Sequence, residues 1–414
     1  MRFERRVVVT GLGAITPLGN SVSEFWSNVT AGKSGIDTIT FFDPSALPTR
    51  FAGEVRGFDA AAVIGKKDAR RMDRFAQFAF VAANEAVKDS GLVVDDGNRD
   101  EIGAIMGSGI GGLTTIEQQH QVMLAQGADR LSPFFIPMLI GNIAPGLISI
   151  HLGLRGPTQT AVSACASSNN AIGDAYRTIQ MGEANAMICG GSEAPITPLA
   201  VAGFCAMRAL STRNDQPQKA SRPFDKERDG FVMSEGGGAM VLEELESARK
   251  RSAKIYAEIV GYGRSSDAYH MVAPDPDARG VTLAMERALR DANIKPEDVD
   301  YINAHATSTD LGDISETSAI HRVFGEKAKK LPVSSNKSMF GHALGAAGAL
   351  EGICTVLTIR DGIIPPTINY EHVDPACDLD CVPNVARKAE VNIAMSNSFG
   401  FGGHDAVLVF KKFV

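Results

Sequence analysis

The chain has 414 residues, 44% of them hydrophobic and 21% charged, which is typical of a globular protein large enough for one big core or two domains. Its net charge of −7 argues against a general nucleic-acid-binding protein. Six cysteines in so long a chain do not make the dense disulfide framework of small secreted proteins, so a reducing compartment is favoured.

The N-terminus enters its first strand directly from charged residues, without an apolar segment and a small-residue cleavage site. No apolar run in the chain reaches the ~18 residues that a membrane-spanning helix needs. We therefore expect a cytoplasmic protein with no membrane segment.

The first predicted strand, Arg6–Thr10, is a continuous β-branched run of the kind found in buried sheets, and GLGAITPLG follows it. This glycine-rich stretch resembles half of a dinucleotide-binding fingerprint. Pro17, however, interrupts the segment where the helix of that motif should begin, and a helix instead starts near Ser21 or Ser23. NAD binding is therefore not expected.

The next predicted elements are a helix over Val63–Gly91, opening with the basic run GKKDARRMDR, and a strand over Ile102–Met106. The strand leads into GSGIGGL, which lacks the Gly-Lys-Ser/Thr of a nucleotide-phosphate loop. We expect these glycines to let the backbone turn sharply.

Cys165 lies in a stretch of small residues between a short predicted strand, Thr158–Val162, and an amphipathic helix, Ala171–Met181. This places it on a tight strand-to-helix turn. Unpaired N–H groups at the start of the helix would favour a thiolate there. From this turn alone, Cys165 is either a nucleophile or a buried structural cysteine.

After the strand AMICGGSEA, a long polar loop and a strand over Ala239–Glu243, the pattern starts over near Lys254. A strand, a glycine-rich stretch, a helix and a second strand follow in the order seen at the N-terminus. We therefore predict one βαβ plan used twice, with halves at residues 1–253 and 254–414 and insertions lengthening the first.

The segment PVSSNKSMFGHALGAAGALEG in the second half has the same form as the segment around Cys165, namely a short strand, a turn and a small-residue helix. Cys165 and His342 would then both lie at helix starts and face one central site. Taken singly, His305 is consistent with a core histidine and Lys337 with a solvated surface lysine. A zinc site of Cys165, His305 and His342 is disfavoured, since Lys337 would repel the ion.

Taken together, these motifs resemble those of the β-ketoacyl-acyl carrier protein synthases, in particular the elongating type II enzymes of bacterial fatty acid synthesis. The similarity covers essentially the whole chain, and its motifs are VSACASSN, NAHATSTDLGD, SSNKSMFGHALGAAGALE and SNSFGFGG. The resemblance implies the α/β thiolase fold, in which two similar halves form a five-layer α-β-α-β-α core. It further implies a homodimer that uses acyl carrier protein and needs no cofactor.

By this resemblance, Cys165 takes an acyl group as a thioester, and the backbone N–H groups of Cys165 and Phe401 hold the resulting oxyanion. His305 and His342 would then hold the thioester oxygen of malonyl carrier protein as neutral donors while carbon dioxide leaves. Lys337 would order this network.

The resemblance also implies several supporting sites in this chain. They are the gate (Phe401, Gly402 and the loop at Asp267), the acyl pocket (Ile110, Phe204), the pantetheine contacts (Thr307, Thr309), carrier-protein docking (Lys67, Arg70, Arg71, Arg208) and a structural, non-catalytic cation (Asn303, Glu351, Ser396, Asn397).

The chain departs from the family pattern at the gate. His404 and Asp405 stand where a threonine and an asparagine are frequent, and Val272 replaces a threonine that could contact the pantetheine arm. Asp405 exchanges an amide donor for a carboxylate that only accepts, which leaves gating open. The sequence does not determine the preferred acyl length.

Three other readings of the same residues differ in what they require. A thiolase needs a second cysteine in the C-terminal glycine-rich loop, and GFGGHD has none. A polyketide-type ketosynthase shares all the catalytic residues and stays open. A chain-length-factor-like partner subunit would lack the nucleophile. The presence of Cys165 therefore argues against this interpretation.

Overall fold

A computed structural model of the chain describes residues 5–414, and their main element is one ten-stranded sheet. Its strands, numbered along the chain, are β1 (Val7–Ile15), β2 (Ile102–Gly107), β3 (Thr158–Ala161), β4 (Ala186–Glu193), β5 (Gly236–Glu244), β6 (Ala257–Ser266), β7 (Tyr301–Asn303), β8 (Val333–Ser334), β9 (Ile393–Gly400) and β10 (His404–Lys411).

The sheet is built from two halves with the same strand order. The first half runs β3-β2-β4-β5-β1 and the second runs β8-β7-β9-β10-β6. Strand directions also agree, since β2 is parallel to β3 and β4 just as β7 is parallel to β8 and β9. The halves join where β1 and β6 pair antiparallel, with Val8 opposite Glu258. The predicted use of one plan twice is confirmed in this topology.

Helices cover both faces of the sheet and fill the space between its halves. The longer ones are α1 (Val22–Thr30), α2 (Arg74–Ser90), α3 (Leu113–Gln126), α4 (Ile143–Leu152), α5 (Ser167–Gln180), α6 (Pro198–Ala206), α7 (Leu245–Lys250), α8 (Arg279–Ala292), α9 (Asp310–Phe324) and α10 (Ala347–Asp361). Short helical segments span Ala60–Ile64, Lys66–Ala69, Phe135–Leu139 and Lys337–Phe340.

The layers follow from where these helices pack. Helices α2 and α4 cover the first half, α8 and α9 cover the second, and α5 and α10 lie between the halves. The close contact of α10 with α5 and β5 requires glycine in α10. A Cβ on Gly348 would lie 2.5 Å from Oδ1 of Asn169 in α5, and one on Gly352 would lie 2.9 Å from the methyl group of Met240 in β5. The expected α-β-α-β-α arrangement is confirmed.

The first glycine-rich stretch lies inside a strand, because β1 extends five residues beyond the predicted Arg6–Thr10. A Cβ on Gly13 would lie 1.9 Å from the carbonyl oxygen of Ala82 in α2, and one on Gly263 of β6 would lie 2.1 Å from that of Ala284 in α8. These glycines therefore let a helix pack closely on each half of the sheet.

The helix predicted over Val63–Gly91 is interrupted. Its basic opening forms the short helix Lys66–Ala69, and a new helix, α2, starts after Asp73, whose carboxylate accepts from the backbone N–H of Phe75 at 3.3 Å. Asp73 caps the start of α2, because its side chain satisfies an N–H group that has no partner within the helix.

Candidate active site

A cavity of about 510 Å³ lies between the two halves and is lined by loops from both. It contains most of the side chains that the sequence singled out, namely Ile110, Cys165, Phe204, Arg208, Asp267, Val272, His305, Thr307, Thr309, His342, Phe401 and Asp405. Residues separated by up to 295 positions in the sequence thus share one enclosed space.

Cys165 occupies the predicted strand-to-helix turn, within a 3₁₀ segment over Ala164–Ala166. Ala164 has a φ of 49°, and α5 begins at Ser167, four residues before the predicted start at Ala171. The Ser167 hydroxyl donates to the carbonyl of Ala164 at 2.7 Å and accepts from the N–H of Ser163 at 2.9 Å. This serine therefore holds the left-handed turn closed.

The second half repeats this turn at Leu344–Ala346, where Leu344 has a φ of 46°. The counterpart of Cys165 is therefore Gly345, and the expectation that His342 lies at a helix start is wrong. His342 is held by strand-like pairing instead, since its N–H donates to the carbonyl of Val232 at 2.7 Å. That pairing carries its ring back toward the first half.

The side chains of Cys165, His342 and His305 are in contact in that order. Sγ of Cys165 lies 3.0 Å from Nε2 of His342, and the two imidazole rings are 5.3 Å apart and nearly perpendicular. Phe231 packs edge-on against His342 at 5.4 Å, and Phe399 packs against His305 at 5.6 Å. These aromatic neighbours fix the orientation of both imidazoles.

Cys165 rests as a thiol. Burial raises its pKa to about 12, because this effect outweighs the cation of Lys337 and a hydrogen bond from the N–H of Phe401, both of which lower it. The N–H groups that were expected to favour a thiolate at this turn are therefore outweighed by burial. Desolvation of the charged form dominates over the partial charges of the turn.

The histidines, in contrast, fulfil the requirement that they be neutral. Burial lowers the pKa of His305 and of His342 well below the usual value, and the cation of Lys337 lowers both further. No helix begins at His342, so burial and Lys337, and not a helix N-terminus, account for its neutrality. Both rings therefore stay uncharged at neutral pH.

Lys337 is fully buried, so it is not a solvated surface lysine. Its ammonium group is paired with the carboxylate of Glu351, which is also fully buried. Burial raises the pKa of Glu351 to about 7. Lys337 does not line the cavity, and its positive charge lowers the pKa of both histidines from outside the cavity.

The predicted cation-binding residues lie together beside this pair. Four of their oxygens are enclosed and have no hydrogen-bond partner within residues 5–414, namely Asn303 Oδ1, Glu351 Oε2, Ser396 Oγ and Asn397 Oδ1. Carboxylate, amide and hydroxyl oxygens suit a hard cation such as an alkali or alkaline-earth ion. These residues therefore fit the expected ion.

The predicted gate consists of two loops bound to each other through their backbones. The N–H of Gly402 donates to the carbonyl of Met271 at 2.9 Å, and the N–H of Asp267 donates to that of Gly403 at 3.0 Å. The ring of Phe401 lies 6.4 Å from that of Phe204, and both rings line the cavity that contains Cys165.

Asp405 adds a second carboxyl group beneath these loops. Its side chain is buried, and its Oδ2 accepts from the hydroxyl of Ser265 at 3.2 Å. This oxygen and Oδ1 of Asp267 both face the Cα of Gly280, where an added Cβ would lie 2.6 and 2.3 Å from them. Burial and the charge of Asp267 raise the pKa of Asp405 to about 8, so it is neutral at pH 7.

Glu316 supports His305 and was missed by the sequence analysis. Its buried carboxylate accepts from the backbone N–H groups of His305 at 2.9 Å and Ala306 at 2.7 Å, and from the side-chain amide of Asn397 at 2.8 Å. No local pattern distinguishes it from other glutamates in α9. Only the fold brings it to the histidine.

The basic residues proposed for docking fall into two groups. Arg208 lies at the rim of the cavity, whereas Lys67, Arg70 and Arg71 are exposed on and after the short helix Lys66–Ala69, outside the lining. The Arg71 guanidinium stacks at 4.7 Å from the centre of the Phe134 ring.

Two further properties of the described residues concern membrane-spanning helices and metal-binding clusters. Among the helices of residues 5–414, none has the length and apolar character needed to traverse a lipid bilayer. Within that same range, His, Cys, Asp and Glu side chains do not assemble in threes as a metal-binding group.

The chain matches two family profiles in succession. Residues 4–248 match the one described as "Beta-ketoacyl synthase, N-terminal domain", and residues 256–371 match "Beta-ketoacyl synthase, C-terminal domain". Among curated relatives, 3-oxoacyl-[acyl-carrier-protein] synthase 2 of Synechocystis is 55% identical over 99% of both chains. The protein of the same name from Staphylococcus aureus strain N315 is 54% identical over the full length of both.

Solved structures agree in fold. A β-ketoacyl synthase from Burkholderia phymatum is 38% identical with a TM-score of 0.92, and the ishigamide ketosynthase/chain length factor is 37% identical with a TM-score of 0.93. A ketosynthase solved with the acyl-carrier protein of a type II polyketide system is 35% identical with a TM-score of 0.91. Each covers 99% of this chain and all of the matched chain.

Proposed function

The chain belongs to the β-ketoacyl synthase family, and we propose that it is the condensing enzyme of fatty acid elongation, joining an acyl group to malonyl-acyl carrier protein with loss of carbon dioxide. The observation that carries this proposal is the contact of Cys165 with His342 at 3.0 Å, in a cavity that also holds the neutral His305. A nucleophile and two uncharged donors are the groups that this reaction requires.

Acyl transfer comes first. The thiol of Cys165 donates toward Nε2 of His342, which takes the proton as sulfur attacks the thioester carbonyl. The tetrahedral oxyanion is held by the N–H groups of Cys165 and Phe401. Gly400 allows this arrangement, because its Cα approaches the turn so closely that a Cβ would lie 3.0 Å from the Cys165 nitrogen. His342 then returns the proton to the departing pantetheine thiolate.

Condensation follows on the acylated cysteine. Malonyl carrier protein places its thioester oxygen between His305 and His342, both of which then donate from a ring nitrogen. Loss of carbon dioxide leaves an enolate, so no base is needed to remove an α-proton. The enolate carbon attacks the acyl-cysteine carbonyl, the bond from that carbonyl carbon to sulfur breaks, and the released Cys165 thiolate takes a proton from water to return to the thiol. His342 accepts from the thiol in the first step and donates in the second, which requires its proton to move from Nδ1 to Nε2 in between.

The carrier protein delivers both substrates through its phosphopantetheine arm. Thr307 and Thr309 line the mouth of the cavity, with their hydroxyl groups 3.2 Å apart, and can bind the amides of the arm. Arg208 at the rim, with Lys67, Arg70 and Arg71, would meet the acidic carrier surface and steer its approach.

We propose a homodimer that is formed through the edge of the first half of the sheet. Strand β3 is solvent-exposed at one end of the sheet, and Val162 beside it and Ile150 of α4 are 67% and 78% exposed. Pairing of β3 with its copy would remove an open edge and cover these side chains. A monomeric mass in light scattering at micromolar concentration would contradict this.

The fatty acid pathway is preferred over the polyketide alternative, because the curated relatives at 54–55% identity are all named 3-oxoacyl-[acyl-carrier-protein] synthase 2. Intact-mass analysis tests the proposal directly. Incubation with acyl-acyl carrier protein should add one acyl group to Cys165, and malonyl carrier protein should then remove it as the 3-oxoacyl product. An acyl adduct that malonyl carrier protein does not discharge would overturn the proposal.

A further inference from the structure

Glu193, at the end of β4, is a fully buried carboxylate that the proposed mechanism does not use. It accepts hydrogen bonds from two segments. These come from the N–H of Gly109 at 2.6 Å, Ile110 at 3.1 Å and Gly111 at 3.4 Å, the hydroxyl of Ser108 at 2.9 Å and the N–H of Gly345 at 3.0 Å.

No Lys or Arg within residues 5–414 forms an ion pair with this carboxyl group. Burial raises its pKa, and the hydrogen bonds that it accepts offset part of that rise. Backbone N–H groups can only donate, so a protonated acid would lose acceptor positions where four of them converge. The ionised form is the one that this cluster fits.

The two segments that donate to Glu193 pack so closely around it that glycine is needed at two positions. A Cβ on Gly109 would lie 2.9 Å from Oε2 of Glu193, and one on Gly345 would lie 2.4 Å from the same oxygen and 2.3 Å from the Gly109 nitrogen. The loop after β2 and the turn before α10 therefore touch each other across this carboxylate.

Both segments are walls of the cavity. Gly109 and Ile110 line it from the first half, Leu344, next to Gly345, lines it from the second, and Cys165 lines the same cavity. Glu193 itself does not line the cavity, so it acts through the residues that it holds.

We propose that Glu193 is a positioning residue that sets the distance between the Ile110 loop and the Leu344 turn, and so determines which acyl chains fit behind Cys165. This inference rests on the proposed function, because it assigns the acyl group to this end of the cavity. The proposal predicts that Glu193 influences selectivity for acyl chain length although it does not line the cavity.

The main test is Glu193→Gln, which keeps the size of the side chain but places an amide N–H against backbone N–H groups. Acylation of Cys165 is measured by intact mass with short-chain and long-chain acyl carrier proteins. We expect the long-chain rate to fall at least about tenfold more than the short-chain rate, as a displaced wall would cause. Glu243→Gln is the matched control, since Glu243 is an equally buried carboxylate held by Arg251 away from the cavity.

A second readout does not depend on the acyl substrate. The charge of Glu193 raises the pKa of Cys165, so Glu193→Gln should increase the rate at which iodoacetamide alkylates Cys165 at a fixed pH of about 8. Ser108→Ala, which removes one donor and keeps the charge, should change chain selectivity in the same direction without that increase. It provides the test if Glu193→Gln does not fold.

Equal loss at all chain lengths in the folded variants would overturn the positioning role. A wild-type enzyme that no acyl carrier protein acylates would instead defeat the proposed function. The rate of iodoacetamide alkylation would still report whether Glu193 acts on the cysteine.

Discussion

Nε2 of His342 lies 3.0 Å from Sγ of Cys165, whose thiol has its pKa raised to about 12. A cysteine of this kind reacts only when a base takes its proton during attack. Burial, which suppresses the thiolate, also keeps His342 neutral, so its Nε2 is free to accept that proton. The same burial makes the imidazole a weak base, so the proton must move while the sulfur–carbon bond forms and not before it.

Cys165→Ala should abolish acylation and leave the fold intact, because only one sulfur atom is removed from a site with little exposure. Intact mass should show no acyl adduct with any acyl carrier protein. Cys189→Ala, at a buried cysteine of β4, is the control and should be acylated normally. Retained elongation in Cys165→Ala would refute the assignment of the nucleophile.

His305→Ala should separate the two half-reactions. Acylation depends on the Cys165–His342 pair and should persist, whereas condensation loses one of the two enolate donors. A fall of about 10²–10³ in the condensation rate is expected for the loss of one such donor. Equal loss of both half-reactions, measured in single-turnover experiments, would count against a role limited to the enolate.

Lys337→Met should make acylation sensitive to acid. The lysine cation lowers the pKa of His342, so its removal raises that pKa, and the imidazolium that cannot accept the thiol proton forms at higher pH. As the pH is lowered, acylation by the variant should begin to fall at a higher pH than acylation by the wild type, but still below the usual histidine pKa of about 6.5, because burial continues to lower the pKa of His342.

The control for charge loss is Lys254→Met, at an exposed lysine paired with Asp89. An unchanged pH profile in Lys337→Met would show that the lysine does not act on the histidines.

The sequence sufficed for the plan of the fold and for the reacting groups. The repeated order of strand, turn and small-residue helix predicted two similar halves, and the motifs around Cys165, His305 and His342 predicted their meeting. Both depend on local patterns that persist in the structure. The equivalence of Gly345, rather than His342, with Cys165 required the backbone, because only φ values reveal the matching turn.

The ionisation state of Cys165 and the hydrogen bonds made by the supporting glutamates could not be predicted from the sequence, and the reason is physical. The pKa of Cys165 depends on burial, which no local pattern reports. Glu193 receives its donors from segments 84 and 152 residues away along the chain, and Glu316 reaches His305 only through the packing of α9. A lone glutamate in a strand or helix gives no signal of such convergence.

Charge reversal should identify the carrier-protein surface. In the double variant Arg70→Glu and Arg208→Glu, KM for acyl carrier protein should rise about tenfold, with little change in kcat, because the chemistry lies deeper in the cavity. The wild-type KM should itself rise with salt. Arg249→Glu, on α7, is the control. A KM that neither variant nor salt changes would locate docking elsewhere.

The last prediction concerns Asp405, whose raised pKa of about 8 determines how the stability of the protein changes with pH. The folded chain holds a proton on Asp405 that the unfolded chain releases above about pH 4, so this group makes the protein less stable as pH rises from there to pH 8, by about 1.4 kcal/mol per pH unit. Asp405→Asn removes the titration. Melting temperatures from about pH 5 to pH 8 should therefore fall less in the variant than in the wild type.

The gate should respond to the same proton. Ionised Asp405 places a second negative charge beside Asp267, whose backbone N–H holds the loop at Gly403, and the repulsion should loosen that contact. Above about pH 8, the wild-type loop over residues 400–403 should exchange amide hydrogens faster than in Asp405→Asn, after correction for intrinsic rates. Ser265→Ala keeps the carboxyl group and serves as the control. Equal protection in wild type and Asp405→Asn at high pH would show that this carboxyl group does not control the loop.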